Sequence, residues 1–299
     1  MWWNQCIFFS LIVLYTMASN LVANVHGRRH TSSDGTVREY IVSEKRWVVV
    51  EVQSENNKRS DEMLFLPSRQ FNINFSAAGF TISGLPIPLV ATGNLRSLEE
   101  QKDGDTGLTV WDGSILLAKA LESIFGSLRN KTVLELGSGV GLVGISAAAL
   151  GAKVVMTDLE YTKEQIEANI KRAENVWGPG KGGEMHFRKL DWINDVKLYD
   201  MPNVQQESFL QFKSFDLIVG ADIVWLEPLI LPLVRLLDVI TIANDKCKVL
   251  ISYQSRSKRA DDILFINLKK IFKISYLGKE KWPVGFETEK IVIFVLERL

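Results

Sequence analysis

The chain has 299 residues, of which 46% are hydrophobic, so it can bury a sizeable core. Its 35 basic residues balance 35 acidic ones, so nothing in the charge indicates a nucleic-acid partner, and we expect none. Two cysteines, Cys6 and Cys247, exclude a disulfide framework, and neither has the neighbours of a zinc site. We expect a monomeric cytoplasmic protein without a metal.

The first residues form an apolar segment. The run from Cys6 to Ala18 is shorter than the roughly 20 residues of a membrane-spanning helix. Its first basic residues, Arg28 and Arg29, follow the run, whereas those of a signal peptide precede it. Three interpretations stay open: a membrane anchor through residues 2–25, a cleaved signal, and translation from Met17, which we favour. Residues 1–36 are accordingly predicted to be an apolar segment and linker.

Residues 37–95 are predicted to be a β-rich extension. The stretch from Glu39 to Val52 has the β-branched and aromatic content of a strand. Residues 70–90 alternate apolar and polar positions around Ala78-Gly79, which indicates a β-hairpin. A charged segment, 96–107, marks a boundary before the next domain.

From residue 105 to 299 strands alternate with helices, which predicts a Rossmann-like, mostly parallel sheet with helices on both faces. The loop between the last two strands is too short for a crossover helix, so the final strand should be antiparallel. The predicted strands are 132–137, 153–159, 184–192, 215–224, 248–254, 273–278 and 290–299. The predicted helices are 114–125, 141–150, 162–174, 228–242 and 261–272, and the stretch after Trp192 is predicted to be loop.

A glycine-rich turn follows the first of these strands, and it fits two cofactors. Gly139 to Gly144 reads GxGxxG, the dinucleotide pattern, whereas Glu135 to Gly141 reads ExGxGxG and places a carboxylate at the strand end. In both, the missing side chains let the backbone approach a ligand. A carboxylate that ends the next strand, Asp158, is placed to accept the hydroxyls of an adenosine ribose.

Two further motifs follow later strands. The segment "LDW", Leu190 to Trp192, offers Asp191 as a partner for an adenine amino group and Trp192 as a stacking face. The segment "GADIVWLEP" places Asp222 at the carboxyl end of a parallel strand, where open α/β sheets bind their ligands. Alternatively, Asp222 only caps the helix that begins near Pro228.

Residues 105–299 resemble the seven-strand S-adenosylmethionine-dependent methyltransferases, in particular family 16, the methyltransferase-like protein-lysine methyltransferases. The matching segments are "TGLTVWDGSILLAKALE", "VLELGSGVGLVGISAAALGAKVVMTDLE", "LDW" and "GADIVWLEP". The resemblance implies S-adenosylmethionine as cofactor, and an Asp222 that faces a substrate lysine beside Trp225. It also implies that Trp111 lies against the cofactor, with Gly137, Ser138 and Gly139 under its methionine part, Asp158 at its ribose, and Trp192 and Ala221 beside the adenine or sulfonium.

The resemblance further implies a large cytosolic protein substrate, such as a chaperone, an AAA ATPase or a translation factor. The sequence departs from the family at Trp225, where a Tyr is usual; the aromatic face is kept and the phenolic hydroxyl is lost. Other interpretations are a small-molecule, arginine or histidine acceptor, a binding protein without turnover, and a nicotinamide oxidoreductase.

Overall fold

The computed structural model of the chain describes residues 25–31, 36–43, 46–53, 80–91, 105–177, 183–197, 214–242, 244–282, 284–286 and 288–299. The chain divides into two compact units, Met1–Leu64 and Phe65–Leu299. None of the helices within the described ranges is long and apolar enough to cross a membrane. The predictions for residues 1–24, including the apolar run and the start at Met17, lie outside the described residues.

The first unit contains a three-stranded antiparallel sheet. Its strands are β1 (Val25–Thr31), β2 (Thr36–Ser43) and β3 (Arg46–Gln53), in the order β1-β2-β3. The prediction of one strand over 39–52 is wrong, because the chain reverses between β2 and β3, where Ser43 pairs with Arg46. β1 also lies inside the segment that was predicted to be a linker; its pairing with β2, which the sequence does not display, makes it a strand.

The first described residues of the second unit form a small hairpin of β4 (Thr81–Ile82) and β5 (Leu85–Pro86). Its turn contains Ser83 and Gly84, both with positive φ, as tight hairpin turns require. The turn predicted at Ala78-Gly79 lies outside the described residues.

A seven-stranded sheet forms the centre of the second unit. Its order is β11-β12-β10-β9-β6-β7-β8. All neighbouring pairs from β10 to β8 are parallel, whereas β12 is antiparallel to both β10 and β11, as predicted. The strands are β6 (Thr132–Leu136), β7 (Lys153–Asp158), β8 (Glu184–Lys189), β9 (Leu217–Ala221), β10 (Lys248–Tyr253), β11 (Phe272–Tyr276) and β12 (Val292–Arg298).

Helices connect these strands and cover both faces of the sheet. They are α1 (Asp112–Phe125), α2 (Leu142–Ala149), α3 (Lys163–Arg172), α4 (Glu174–Trp177), α5 (Asn194–Lys197), α6 (Ile230–Ile242) and α7 (Lys258–Leu268). The prediction that the chain is loop after Trp192 is wrong for α5, a single turn. Along β6, Val133 belongs to the apolar core under α1 and α2, whereas Leu134 and Leu136 belong to the core under α6 and α7. The predicted fold class is therefore confirmed.

Candidate active site

The glycine loop between β6 and α2 lies at the carboxyl edge of the parallel strands. Gly137, Gly139 and Gly141 have φ values of +61°, +55° and +89°, which residues with a Cβ rarely adopt. The loop also passes close to its neighbours. A Cβ on Gly137 would lie 2.8 Å from Ile223 Cγ2 and 3.6 Å from Trp192 Cζ2, so the ends of β8 and β9 meet at this loop.

Strand β7 holds the loop through its last residues. Ser138 N donates to Thr157 O at 3.0 Å, and Thr157 N donates back to Ser138 Oγ at 3.1 Å. Gly139 N donates to Asp158 Oδ2 at 2.7 Å. Burial raises the pKa of Asp158 to about 6, although the N–H groups of Gly139 and Leu159 lower it. Each carboxylate oxygen keeps a further lone pair, so Asp158 can hold the loop and also accept a ribose hydroxyl.

Glu135 lies behind the loop and is only 2% exposed. Its Oε2 accepts a hydrogen bond from Gly144 N at 3.1 Å, in the first turn of α2. Burial raises its pKa to about 8; the bonds from Ser138 and Gly144 N lower it, and the charge of Asp158 raises it further. The carboxyl group therefore supports the loop from inside the core, and its predicted contact with the cofactor stays a prediction.

The aromatic residues and Asp191 border the same edge. Trp111 comes directly before α1, and its Nε1 donates to Thr106 O at 2.9 Å. Asp191 Oδ1 accepts from Ile193 N at 2.9 Å and from Asn194 N at 3.2 Å, so its carboxylate caps the start of α5. This capping function was not foreseen, and the predicted contact of Asp191 with adenine stays a prediction.

Asp222 follows the end of β9 with a left-handed backbone, φ +52°. Its Oδ2 accepts a hydrogen bond from Gly113 N at 2.9 Å, so it caps α1 and not, as the alternative interpretation expected, the helix after Pro228. Its Oδ1 is buried and has no hydrogen-bond partner among the described residues. Burial raises the pKa of Asp222 to about 6; Arg256 and the Gly113 N–H lower it, and Asp112 raises it.

Ala221 pairs with Ser252 across β9 and β10, and Trp225 lies partly exposed three residues beyond Asp222. Glu227 forms an ion pair with Arg259 at 3.0 Å.

The structure adds three residues that the motifs did not single out: Gly113, Ser252 and Arg256. Of these three residues, only Gly113 could have been noticed in the sequence. Glycine is unfavourable inside a helix, so a glycine in the first turn indicates that another group approaches the backbone there.

Comparison with known proteins shows the family of the chain. The family model described as lysine methyltransferase matches residues 91–271. The chain belongs to the lysine methyltransferase family. Protein N-lysine methyltransferase METTL21A of Danio rerio is 32% identical over 199 residues, which cover 67% of this chain and 80% of that protein. EEF1A lysine methyltransferase 3 of Mus musculus is 38% identical over 119 residues, covering 40% and 44% of the two chains. Protein-lysine N-methyltransferase EFM6 of Saccharomyces cerevisiae is 28% identical, covering 60% and 76%.

The lysine methyltransferase family decides between the two glycine patterns. The prediction of a methyltransferase is confirmed, and this result favours the pattern from Glu135 to Gly141 over the dinucleotide pattern. The site fits S-adenosylmethionine, which the family implies, because Asp158 offers carboxylate oxygens beside the glycine loop, at the carboxyl edge of the parallel strands.

Proposed function

We propose that this lysine methyltransferase transfers a methyl group from S-adenosylmethionine to a lysine side chain of another protein, with Asp222 as the catalytic carboxylate. The observation that carries the proposal is the hydrogen bonding of the two oxygens of this carboxylate. One oxygen is fixed by a helix amide, and the other is buried at the carboxyl edge of the sheet without a hydrogen-bond partner among the described residues. A buried carboxylate oxygen is costly unless it is paired, and a lysine amine is a suitable partner.

The glycine loop and Asp158 form the proposed cofactor half of the site. The loop of Gly137 and Gly139 lies under the methionine part, and Asp158 binds the ribose. Trp111, Trp192 and Ala221 border the adenine or the sulfonium. When bound, S-adenosylmethionine supplies an electrophilic methyl group on a sulfonium. What the protein contributes is alignment of the amine with that group, and alignment can remove about 7–11 kcal/mol of a barrier in favourable cases.

Besides alignment, methyl transfer requires that the amine lose a proton, and the ionisation of Asp222 suits this step. With a pKa of about 6 the carboxyl group is mostly ionised at pH 7.5, yet it is a stronger base than an ordinary aspartate. Asp222 therefore binds the ammonium and eases the loss of its proton. The positive charge of Arg256 near Asp222 favours the neutral amine, because it repels an ammonium. Trp225 forms one wall of the lysine channel through its aromatic face.

The first substrate to test is suggested by the name of one relative. Because that relative is called EEF1A lysine methyltransferase 3, we propose EEF1A as the first substrate to test. Total cell protein extends the test to other lysine-containing substrates.

The experiment compares three proteins at pH 7.5: wild type, Asp222→Asn and Asp216→Asn. Each is incubated with methyl-labelled S-adenosylmethionine and either purified EEF1A or total cell protein, and labelled residues are located by mass spectrometry. Asp216 is a matched control, since it lies just before the opposite end of β9 and bonds Thr132 N at 2.8 Å and Lys131 Nζ at 3.0 Å. We expect labelled lysine with wild type and Asp216→Asn, and at least a hundredfold lower rate with Asp222→Asn.

Three results would contradict the proposal. Label on arginine, histidine or a small molecule would change the acceptor class. Binding of S-adenosylmethionine without transfer to any acceptor would indicate a binding protein. Full activity of Asp222→Asn would remove Asp222 from the mechanism while leaving the reaction intact.

A further inference from the structure

A ring of three hydrogen bonds joins Asp222 to the start of α1 and the end of β10. Gly113 N donates to Asp222 Oδ2 at 2.9 Å, and Ser252 Oγ donates to Gly113 O at 2.8 Å. Asp222 N donates to Ser252 O at 3.0 Å, which closes the ring. The backbone of Gly113 is therefore held at its N–H by the carboxylate and at its carbonyl oxygen by the serine hydroxyl.

The ring leaves no space for a side chain at residue 113. A Cβ on Gly113 would overlap Asp222 Oδ2, and it would lie 2.7 Å from Asp222 Cγ and 2.8 Å from Ser252 Oγ. Ser252 itself has no exposed surface. Glycine weakens a helix relative to alanine, so helix stability does not account for a glycine here, whereas the close approach of Asp222 does.

The backbone of Asp222 also needs support from its surroundings. Its φ of +52° lies in the left-handed region, where aspartate is tolerated but not favoured. Such a conformation persists only where neighbouring groups hold it. The bonds from Asp222 N and to Asp222 Oδ2 do so from the backbone and from the side chain, and Oδ1 has no hydrogen-bond partner within the described part of the chain.

We propose that Gly113 and Ser252 are positioning residues for the reaction: they hold Asp222 so that Oδ2 stays on the helix amide and Oδ1 is presented to the acceptor amine. This inference rests on the proposed function. Both residues act through Asp222, to which they are hydrogen-bonded.

The test uses Ser252→Ala and Gly113→Ala in the full chain, with Ser146→Ala as control. Ser146 is equally buried, and its hydroxyl bonds Leu142 O at 2.7 Å inside α2, so its removal imitates the loss of a buried hydroxyl away from Asp222. With EEF1A or total cell protein as acceptor, we expect kcat to fall about tenfold in both test variants, since small misplacements cost up to about a hundredfold. The Kd for S-adenosylmethionine should stay within about twofold of wild type.

Titration of the Asp222 carboxyl group gives a second measurement, independent of turnover. The ¹³C signal of its Cγ, assigned by its absence in Asp222→Asn, reports its pKa. Loss or displacement of the Gly113 N–H bond should raise that pKa by about half a unit, while Arg256 and Asp112, which also act on Asp222, are unchanged. A role in folding alone would lower the melting temperature without moving this pKa.

The possible results separate the two proposals. If wild type labels lysine and Asp222→Asn does not, but both test variants keep the wild-type kcat and pKa, the positioning role is refuted and the proposed function stands. If wild type labels no lysine, the proposed function fails. The carboxyl titration then decides separately whether the ring holds Asp222. Should Ser252→Ala fail to fold, Ser252→Cys, which fills the site with a slightly larger atom and is a weaker donor, replaces it.

Discussion

Glutamine in place of Glu135 should change how the stability of this domain depends on pH. Burial raises the pKa of Glu135 from the ordinary 4.5 to about 8, and the fold therefore favours the neutral carboxyl group. The stability that this group contributes is complete below pH 4.5 and is lost as the pH rises through about 8. Glutamine is neutral throughout, and its amide oxygen can still accept the hydrogen bond from Gly144 N.

The size of the effect follows from proton linkage. One unit of pKa difference corresponds to about 1.4 kcal/mol. Between a pKa of 4.5 unfolded and about 8 folded, the ionisation of Glu135 destabilises the fold by about 1 kcal/mol at pH 5 and about 5 kcal/mol at pH 9. The stability of Glu135→Gln relative to wild type should therefore increase by about 4 kcal/mol over that range.

Urea unfolding at pH 5, 7 and 9, followed by circular dichroism, measures this difference. Asp216→Asn serves as control, because hydrogen bonds from Thr132 and Lys131 lower the pKa of Asp216, although burial acts in the opposite direction. Its contribution is present above the ordinary pKa of 3.8 and is lost only as the pH falls, so its effect should be constant from pH 5 to 9. Parallel pH curves for wild type and Glu135→Gln would refute the reasoning.

Three further predictions concern the site. Asp158→Ala should weaken binding of S-adenosylmethionine at least about tenfold in isothermal titration, because it removes the ribose acceptor and the partner of Gly139 N; an unchanged Kd would contradict this. Gly141→Ala should lower the free energy of unfolding by about 1–3 kcal/mol in urea, since its φ of +89° is strained for alanine and its Cβ would overlap Met156 Cε. If the aromatic face of Trp225 holds the lysine, Trp225→Ala should lower kcat about tenfold, whereas Trp225→Phe should retain most of the activity. Equal kcat values for the two variants would exclude that role.

The part of the central sheet that carries the site was predictable because β6, β7 and β9 are short apolar runs that end at, or directly before, Gly137, Asp158 and Asp222. That pattern gave the order of strands and helices from residue 105 onward and placed the glycine loop, Asp158 and Asp222 at one edge. β1, with the sequence VHGRRHT, lacks such a pattern, and only its partner strand makes it regular.

The hydrogen bonds within the site could not be predicted from local sequence patterns, because they join residues that are far apart in the chain. Asp222 binds an amide that lies 109 positions away in the chain, and Ser252 binds a carbonyl 139 positions away. A sequence motif shows which residues carry chemistry, whereas their partners depend on how the sheet and α1 pack. Asp191 is the opposite case, because an aspartate directly before a helical turn is a cap that the sequence alone can show.

The position of β12 has a consequence for the order in which the domain can form during synthesis. β10 and β11 leave the ribosome first, but they do not pair with each other, since β12 lies between them. Until β12 emerges, the backbone groups of β10 that pair with β12 in the folded domain have no partner strand. Phe294 and Leu296 of β12, which are fully buried in the folded domain, are also missing from the core. The sheet therefore has an unprotected edge beside β10 until β12 pairs, and a chaperone should bind a chain that stops before Val292 more strongly than the full chain.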